Sequence, residues 1–474
     1  MIFNSITYFI FLPIVLLLFF ALPQKFRWIL LLCSSYFFYG YWNVNYLAII
    51  IIATAVAFFC GKMIGKESRR ARRKLWLYAT LIINLGILAV FKYWDFGADN
   101  VENVFSALGI DWQVTRLDVL LPVGISFFTF QTLSYVIDIY RGRIQPEGHL
   151  GMFAVYVAFF PQLVAGPIER AQNILPQLKA TEKIDIERMV SAMQLILWGL
   201  FKKVVIADRV AIYVDLIYAQ PDLHSPASRI LATYFFAIQI YCDFSAYSDI
   251  AIGSAKLFGI DLMENFRRPY FSRSITEFWR RWHISLSTWL RDYLYIELGG
   301  NRRGVSRTYI NLMITMLLGG LWHGASWNFV IWGALHGLFL VFSRLTLPTR
   351  DRMVSQLAIP AYAVNFLRAF ITFQLVVFCW IFFRADTFAD ALTVVKGIIE
   401  PWGSPLVDIK TFAHAAFGVS VLLFVQIIQE KFGSFRAFIG GFSTPVRWVA
   451  WYALLFAIVL FGVVGNSQFI YFQF

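Results

Sequence analysis

The amino-acid sequence predicts an all-α polytopic membrane protein, and three features of its composition support this prediction. Hydrophobic residues fill 59% of its 474 positions, charged residues only 15%, and aromatic residues 18%, with 49 phenylalanines. Soluble domains have roughly 45–50% apolar and about 25% charged residues. So few charged side chains could not cover so much apolar area, which excludes a soluble globular enzyme and a disordered chain and makes the lipid bilayer the expected environment.

Apolar runs recur along the chain, from residues 4–22 to residues 446–465. A helical crossing needs about 20 residues, and several of these runs are shorter. We therefore expect about 10–12 transmembrane helices, with one or two re-entrant helices that enter the bilayer and return. The first run has no early positive charge and no small-residue cleavage site, so it is predicted to be a span rather than a removed signal peptide.

Charged loops predict the orientation in the membrane. The 41 Lys and Arg residues exceed the 28 Asp and Glu residues, giving a net charge of +13. Such an excess usually lies in cytoplasmic loops, so no nucleic-acid partner is predicted. The basic segment 66–74 is expected inside and the acidic loop 93–116 outside. Three spans before the basic segment then place the N-terminus outside, and basic loops late in the chain place the tail, residues 466–474, at the outer face.

Charged residues also interrupt two apolar stretches. Lys202 and Lys203 lie within residues 189–219, and Asp243 and Asp249 lie in the next apolar run. Charges inside a membrane protein are costly, so the two acids either face a watery cavity or pair with basic groups, whereas the role of the lysines is left unassigned. The pattern favours structural pairing over a direct catalytic role.

Three of the six histidines, His283, His323 and His336, lie in apolar and aromatic surroundings. His323 joins the apolar runs 308–322 and 327–343, which as helices would be about 22–25 Å long. The hydrocarbon core is about 30 Å thick, so a hairpin of these runs would leave His323 recessed in the membrane. A neutral imidazole there could act as a general base. The alternative is a histidine that only hydrogen-bonds two helices together.

The segment 277–303 mixes arginine with tryptophan, and such a helix cannot face lipid over its whole circumference. It could line a polar cavity, where arginines would bind the phosphates of a nucleotide-like donor. The candidate donor-binding residues are Trp279, Arg280, Arg281 and Trp282. The alternative is an interfacial helix that its tryptophans anchor.

No metal site is predicted, because the four cysteines lie far apart in apolar runs without CxxC spacing. The sequence also contains no GxSxG, HExxH, Walker A or dinucleotide-binding motif. A self-contained hydrolase, a metalloprotease and an ATP-driven pump are therefore disfavoured.

Several long motifs carry a family resemblance. They read LLPVGISFFTFQTLSYVIDIYRG, FFPQLVAGPIER, YCDFSAYSDIAIG, ITEFWRRWHISLSTWLRDYLYIELGGNRRG and MLLGGLWHGASWNFVIWGALHG. Together they resemble the membrane-bound O-acyltransferase family (MBOAT), in the bacterial branch that O-acetylates exported polysaccharides such as alginate, cellulose and peptidoglycan.

The resemblance implies a single domain over residues 1–474, with a ring of helices around a central tunnel and a catalytic core segment at 264–345. His323, in its WHG context, matches the family's catalytic histidine, and His283 matches a second polar position that holds Asn or His. The implied acyl donor is acetyl-CoA, entering from the cytoplasm. The implied location is the bacterial inner membrane, with both termini periplasmic.

The C-terminal residues FIYFQF resemble the F-[LI]-Y-x-x-F ending of some members of this branch, and a short membrane peptide of the teichoic-acid D-alanylation system. In those systems the tyrosine is thought to accept the acyl group, which here would be Tyr471. A phenol has a pKa near 10, so its ester keeps a high transfer potential. The alternative is an interfacial aromatic tail. Alginate-type members generally lack this ending, which favours a peptidoglycan-type system.

The expected function is a transmembrane O-acetyltransferase in which His323, helped by His283, activates the Tyr471 hydroxyl. A periplasmic serine-hydrolase-like partner would then pass the acetyl group to a polysaccharide acceptor. One alternative is direct transfer by an alginate or cellulose O-acetylation subunit. Another is a transporter that moves an acyl donor or lipid without chemistry.

Overall fold

The computed structural model describes residues 1–164, 166–356, 359–463 and 469–470. All regular structure in these ranges is helical, which confirms the all-α prediction. The chain forms two compact units. Unit 1 comprises Met1–Met193 and Ala251–Met263, and unit 2 comprises Gln194–Ile250 and Glu264–Phe474.

Unit 1 contains the first eight helices and the beginning of the ninth. These are α1 (Ile6–Ala21), α2 (Gln24–Gly40), α3 (Leu47–Lys66), α4 (Arg70–Ala107), α5 (Ile125–Tyr140), α6 (Leu150–Ala158), α7 (Phe160–Leu163), α8 (Ala171–Lys179) and α9 (Ile186–Leu200). Helix α3 packs against both α4 and α5.

The acidic segment predicted as a loop from residue 93 is helical at its beginning, so that prediction was wrong as far as Ala107. At 1.5 Å per residue, α4 is about 57 Å long and exceeds the hydrocarbon thickness. Its last turns can therefore carry acids that a membrane core would exclude. Arg116 lies 2.6 Å from both Asp99 and Glu102, which ties the following chain back to the helix.

Unit 2 contains most of the remaining helices, and the residues of α11 are divided between the two units. The helices are α10 (Asp208–Ala219), α11 (Pro226–Leu257), α12 (Ile275–Arg281), α13 (Ile284–Leu290), α14 (Val305–His323), α15 (Trp327–Gln356), α16 (Ala361–Arg384), α17 (Phe388–Lys396), α18 (Ile409–Phe432), α19 (Phe435–Gly440) and α20 (Thr444–Phe461). A wide π-helical turn, Phe201–Ala207, joins α9 to α10.

Among the described residues, seven helical runs are long and apolar enough to cross a membrane, which supports the multi-pass prediction. They are Val44–Lys66, Arg70–Ala107, Ile186–Ala219, Trp327–Gln356, Ala361–Arg384, Ile409–Phe432 and Thr444–Phe461. Helix α1 is apolar but shorter. The larger number of crossings expected from the sequence stays a prediction.

Helices α14 and α15 form a hairpin whose backbones meet at two glycines. A Cβ atom on Gly320 would overlap the carbonyl oxygen of Phe329, and one on Gly333 would overlap that of Met316. Small residues at such crossings let helix backbones approach closely. This contact determines where the end of α14, and therefore His323, lies against α15.

The helices on either side of His323 are longer than their apolar runs, and the recessed position expected from those runs stays a prediction. Helix α14 has 19 residues and α15 has 30, which correspond to about 28 Å and 45 Å. The apolar runs underestimated both helices because the ends carry polar and charged residues. What encloses the imidazole is packing within unit 2, where His323 is 4% exposed.

We expect Gly320→Ala to destabilise the protein, because the added methyl group must push α14 away from the Phe329 carbonyl. Overpacking of this kind costs about 1–3 kcal/mol. Thermal unfolding of the purified protein in detergent measures the effect. Gly86→Ala is the matched control, since nothing lies within 4 Å of a Cβ atom at Gly86, also in a helix. Equal melting temperatures for the two variants would contradict a tight crossing.

Candidate functional site

The three histidines that stand out in the sequence come together in one aromatic cluster in unit 2. Ring centroids are 6.0 Å apart between His283 and Trp322, and 5.1 Å apart between Trp322 and His323. The ring centroids of His323 and Trp332 are 4.9 Å apart, and those of Trp332 and His336 are 4.7 Å apart. We call these five residues the histidine cluster.

His323 is the last residue of α14, and the chain leaves the helix at Gly324 with an extended backbone. The imidazole lies edge-on to the Trp332 ring of α15 and to the Phe383 ring of α16, with centroids 4.9 and 5.3 Å away. Aromatic rings on several sides keep most bulk water away from the imidazole. A histidine so enclosed can exchange a proton with a bound reactant rather than with solvent.

His283 lies at the break between α12 and α13 and is fully buried. Its Nδ1 atom lies 3.1 Å from the side-chain oxygen of Asn265. The same oxygen accepts hydrogen bonds from the backbone N–H of Ser285 at 3.2 Å and from its hydroxyl at 2.9 Å. Asn265 therefore holds the turn that carries His283.

These contacts determine the histidine tautomer. A backbone N–H can only donate, so the atom that Ser285 N–H contacts must be the oxygen of the Asn265 amide. His283 Nδ1 must then carry a proton and donate it to this oxygen. In the neutral imidazole, Nε2 is consequently the basic nitrogen.

The backbone at His283 is left-handed, with φ of +41°. Most residues pay an energetic cost in this region, whereas Asn and His adopt it more often than others. The local geometry therefore explains why either Asn or His would fit this position.

Two residues of the predicted tail 466–474 are described, and both are buried: Phe469 and Ile470. The backbone N–H of Ile470 donates to Asp243 Oδ2 of α11 at 2.7 Å. Tyr471, the predicted acyl acceptor, lies outside the described residues.

Aromatic contacts connect this part of the tail with the histidine cluster. The Phe469 ring stacks on Tyr247 at 4.3 Å and lies 5.5 Å from Phe244. The Phe244 ring is in turn 4.6 Å from His283. One phenylalanine therefore contacts both the tail and the buried imidazole.

Comparison with known proteins identifies the family. A model of the membrane-bound O-acyltransferase family matches residues 148–383. The chain is 38% identical to a probable alginate O-acetylase, AlgI, of Azotobacter vinelandii over 438 residues, covering 91% of this chain and 85% of that protein. The chain belongs to the membrane-bound O-acyltransferase family.

Other relatives carry further names. The chain is 36% identical to the peptidoglycan O-acetyltransferase of Helicobacter pylori over 396 residues, covering 78% of this chain and 73% of that protein. It is 27% identical to the teichoic acid D-alanyltransferase of Bacillus subtilis over 229 residues, covering 46% and 58%. The family predicted from the motifs is confirmed, and with it membrane-bound acyltransferase activity.

The four predicted donor-binding residues of this MBOAT protein lie in different surroundings. Arg280 is exposed, whereas Arg281 pairs with Glu277 at 2.7 Å and with Glu430 at 3.1 Å. Trp282 is 2% exposed and packs in an aromatic core. Donor binding by this segment stays a prediction, and Arg280 is its most accessible cation.

Trp279 contacts the third histidine, for which the sequence suggested no role. The His336 ring is fully buried, and its centroid lies 5.1 Å from that of Trp279. Neither ring nitrogen of His336 has a hydrogen-bond partner among the described residues. In the sequence, His323 and His336 both lie in segments rich in glycine and aromatic residues, and this common feature pointed to both histidines.

The charges that interrupt the apolar runs do pair with one another. Lys202 lies 2.8 Å from Asp249, and Lys203 lies 2.6 Å from Asp243 and 2.8 Å from Asp208. The structure thus confirms that Asp243 and Asp249 pair with basic groups, as the sequence favoured, and it identifies Lys203 and Lys202 as the partners. Sequence reasoning missed the contact between Asp243 and the tail, because no periodicity connects residues so far apart in the chain.

We expect His283→Asn to fold as stably as the natural protein, because Asn tolerates a positive φ. His283→Val should unfold at a lower temperature, since a β-branched residue pays roughly 1–2 kcal/mol in the left-handed region. Thermal unfolding in detergent compares the two variants. If both unfold at the same temperature, backbone conformation does not restrict this position.

Proposed function

We propose that the protein is a transmembrane O-acetyltransferase that takes acetyl from cytoplasmic acetyl-CoA and delivers it to the outer side, for O-acetylation of an exported or cell-wall polysaccharide. The observation that carries this proposal is the buried His323 imidazole in one aromatic cluster with His283. Family membership supports acyl transfer, and the relatives' names supply the acetyl group and the polymer class.

In the proposed chemistry, His323 removes the proton from an incoming hydroxyl as its oxygen attacks the thioester carbonyl. The C–O bond forms, the C–S bond breaks, and the proton passes from the imidazolium to the leaving thiolate. Coenzyme A is released on the side from which it came. General-base assistance of this kind contributes about 10²–10⁴-fold in rate. His283, held by Asn265 with Nε2 as its basic nitrogen, would orient the hydroxyl or share its proton.

The hydroxyl that attacks first is, in this proposal, that of Tyr471. Support comes from the two preceding residues, which are both buried. Phe469 lies beside Phe244, which contacts the His283 ring, and Ile470 is hydrogen-bonded to Asp243. The resulting aryl acetate retains transfer potential, so it can acylate a serine in a second step. A periplasmic serine-hydrolase-like partner would take the acetyl group and pass it to the polymer.

The proposed location is the bacterial inner membrane, with both termini on the periplasmic side and the donor site facing the cytoplasm. Arg280, exposed beside the histidine-bearing break, is the proposed contact for the donor phosphates. Trp279, Arg281 and Trp282 would shape this region through their packing and ion pairs.

The acceptor polymer is proposed to be of the peptidoglycan type, on the strength of the FIYFQF ending. The comparisons name both polymers, at similar identities of 38% for the alginate O-acetylase and 36% for the peptidoglycan enzyme. The alternative is direct transfer to alginate, which the alginate O-acetylase relatives favour. Acetate released by mild base from each purified polymer distinguishes the two.

We expect His323→Ala to reduce acetyl transfer by about 10²-fold or more, because the attacking hydroxyl loses its base. Release of coenzyme A from acetyl-CoA by the protein in proteoliposomes, together with polymer-bound acetate in cells, measures the effect. His224→Ala is the control, since the described hydrogen bonds of His224 involve only its backbone atoms. Full transfer by folded His323→Ala protein would overturn the role of His323 as the base, whereas no release of coenzyme A by the natural protein would favour a transporter without chemistry.

We expect Tyr471→Phe to abolish polymer acetylation, because the ring remains but the accepting hydroxyl is gone. Mass spectrometry of the C-terminal peptide should also find an acetyl group on the natural protein that the variant lacks. Tyr452→Phe, at an exposed position in α20, is the matched control. Unchanged acetylation with Tyr471→Phe would exclude the relay and favour direct transfer.

A further inference from the structure

Asp243 has two kinds of partner, and only one of them is an ion pair. Its Oδ1 atom lies 2.6 Å from Lys203 Nζ, and its Oδ2 atom accepts the Ile470 backbone N–H at 2.7 Å. The carboxylate therefore joins a basic side chain of the π-helical turn to the tail. The Lys203 and Asp243 side chains are almost inaccessible to solvent, at 2% and 3% exposure.

A second carboxylate shares the Lys203 ammonium group. Lys203 also lies 2.8 Å from Asp208, so one ammonium group faces two carboxylates. A buried carboxylate that shares its cation needs hydrogen-bond donors as well, and a backbone N–H can supply one. The tail provides such a donor at Ile470.

Aromatic packing holds the preceding residue. Phe469 is fully buried, stacked on Tyr247 at 4.3 Å and close to Phe244 at 5.5 Å. Stacked rings contribute about 0.5–1.5 kcal/mol beyond the area they bury. The described part of the tail is thus attached to one helix, α11, through a hydrogen bond to Asp243 and aromatic contacts with Phe244 and Tyr247.

A second ion pair in unit 2 offers an internal comparison. Lys202 contacts both Asp249 and the Ser245 hydroxyl at 2.8 Å. This pair has the same residue types as the Lys203–Asp243 pair and joins the same π-helical turn to α11. Its described partners, however, do not include a tail residue.

We propose that Asp243 is a positioning residue for acyl transfer, which holds Phe469 and Ile470 so that the next residue, Tyr471, is presented to the histidine cluster. The catalytic consequence of this inference rests on the relay proposed above. The anchoring of Phe469 and Ile470 does not depend on that relay. Loss of the anchor should release the chain end while leaving the imidazoles in place.

Cysteine labelling tests the anchor directly. In protein carrying Ile470→Cys, with the label located by mass spectrometry, N-ethylmaleimide should react slowly because the position is buried. Adding Asp243→Ala should raise the labelling rate about tenfold, the equivalent of one lost charge-assisted hydrogen bond. This change leaves Lys203 paired with Asp208, so it strands no buried cation.

Asp249→Ala is the matched control, since it breaks the neighbouring ion pair without touching the tail. It should leave the labelling rate within about twofold of the parent protein. Asp243→Asn retains an acceptor oxygen and should restore most of the protection. Equal labelling rates at position 470 in the Asp243→Ala and Asp249→Ala proteins, or continued protection in Asp243→Ala, would overturn the anchor.

A second measurement separates the anchor from the relay. With Asp243→Ala in the natural background, acetylation of Tyr471 should fall about tenfold, whereas acetyl transfer to an added diffusible phenol such as p-cresol should persist. Loss of both transfers would instead show that Asp243 is needed for the chemistry at the histidine cluster, and would overturn the positioning role. If Tyr471→Phe leaves polymer acetylation unchanged, the relay fails, and the labelling experiment still decides whether Asp243 holds the chain end.

Discussion

Polar groups buried among apolar helices must find their partners within the protein, because neither lipid nor bulk water can satisfy them. This constraint organises unit 2. Lys203 lies between two carboxylates, one of which, Asp243, also accepts the backbone N–H of Ile470. The side-chain oxygen of Asn265 accepts hydrogen bonds from both Ser285 and His283. Each of these arrangements determines where a neighbouring backbone segment can lie. The same hydrogen bonds and ion pairs therefore hold both the buried polar side chains and the backbone segments beside them.

The second requirement is a close backbone contact that places His323. Gly320 and Gly333 allow α14 and α15 to meet without side chains between them, so the end of α14 lies directly against Trp332. Large rings then fill the space around the imidazole. An imidazole enclosed in this way keeps its orientation, which would lower the entropic cost of the proton transfer proposed for it. The proposed chemistry therefore depends on the same packing that holds α14 against α15.

Much of the helical content followed from hydropathy alone. The first apolar run, residues 4–22, corresponds closely to α1, and the pairing of Asp243 and Asp249 with basic groups followed from the cost of buried charge. Helix ends were harder to predict, as α4 and α15 show, because a helix continues beyond the bilayer wherever its backbone hydrogen bonds do. Hydropathy reports the hydrophobic length of a helix and not its hydrogen-bonded length.

The sequence by itself determined the membrane class, the acyltransferase family and the histidines that stand out, because composition and long motifs are local properties of the chain. Only the tertiary structure decided which of these residues meet. The tautomer of His283 depends on Asn265, 18 positions earlier, and the position of Ile470 depends on Asp243, 227 positions earlier. Contacts over such separations are set by how helices pack, and periodicity within one helix carries no information about them.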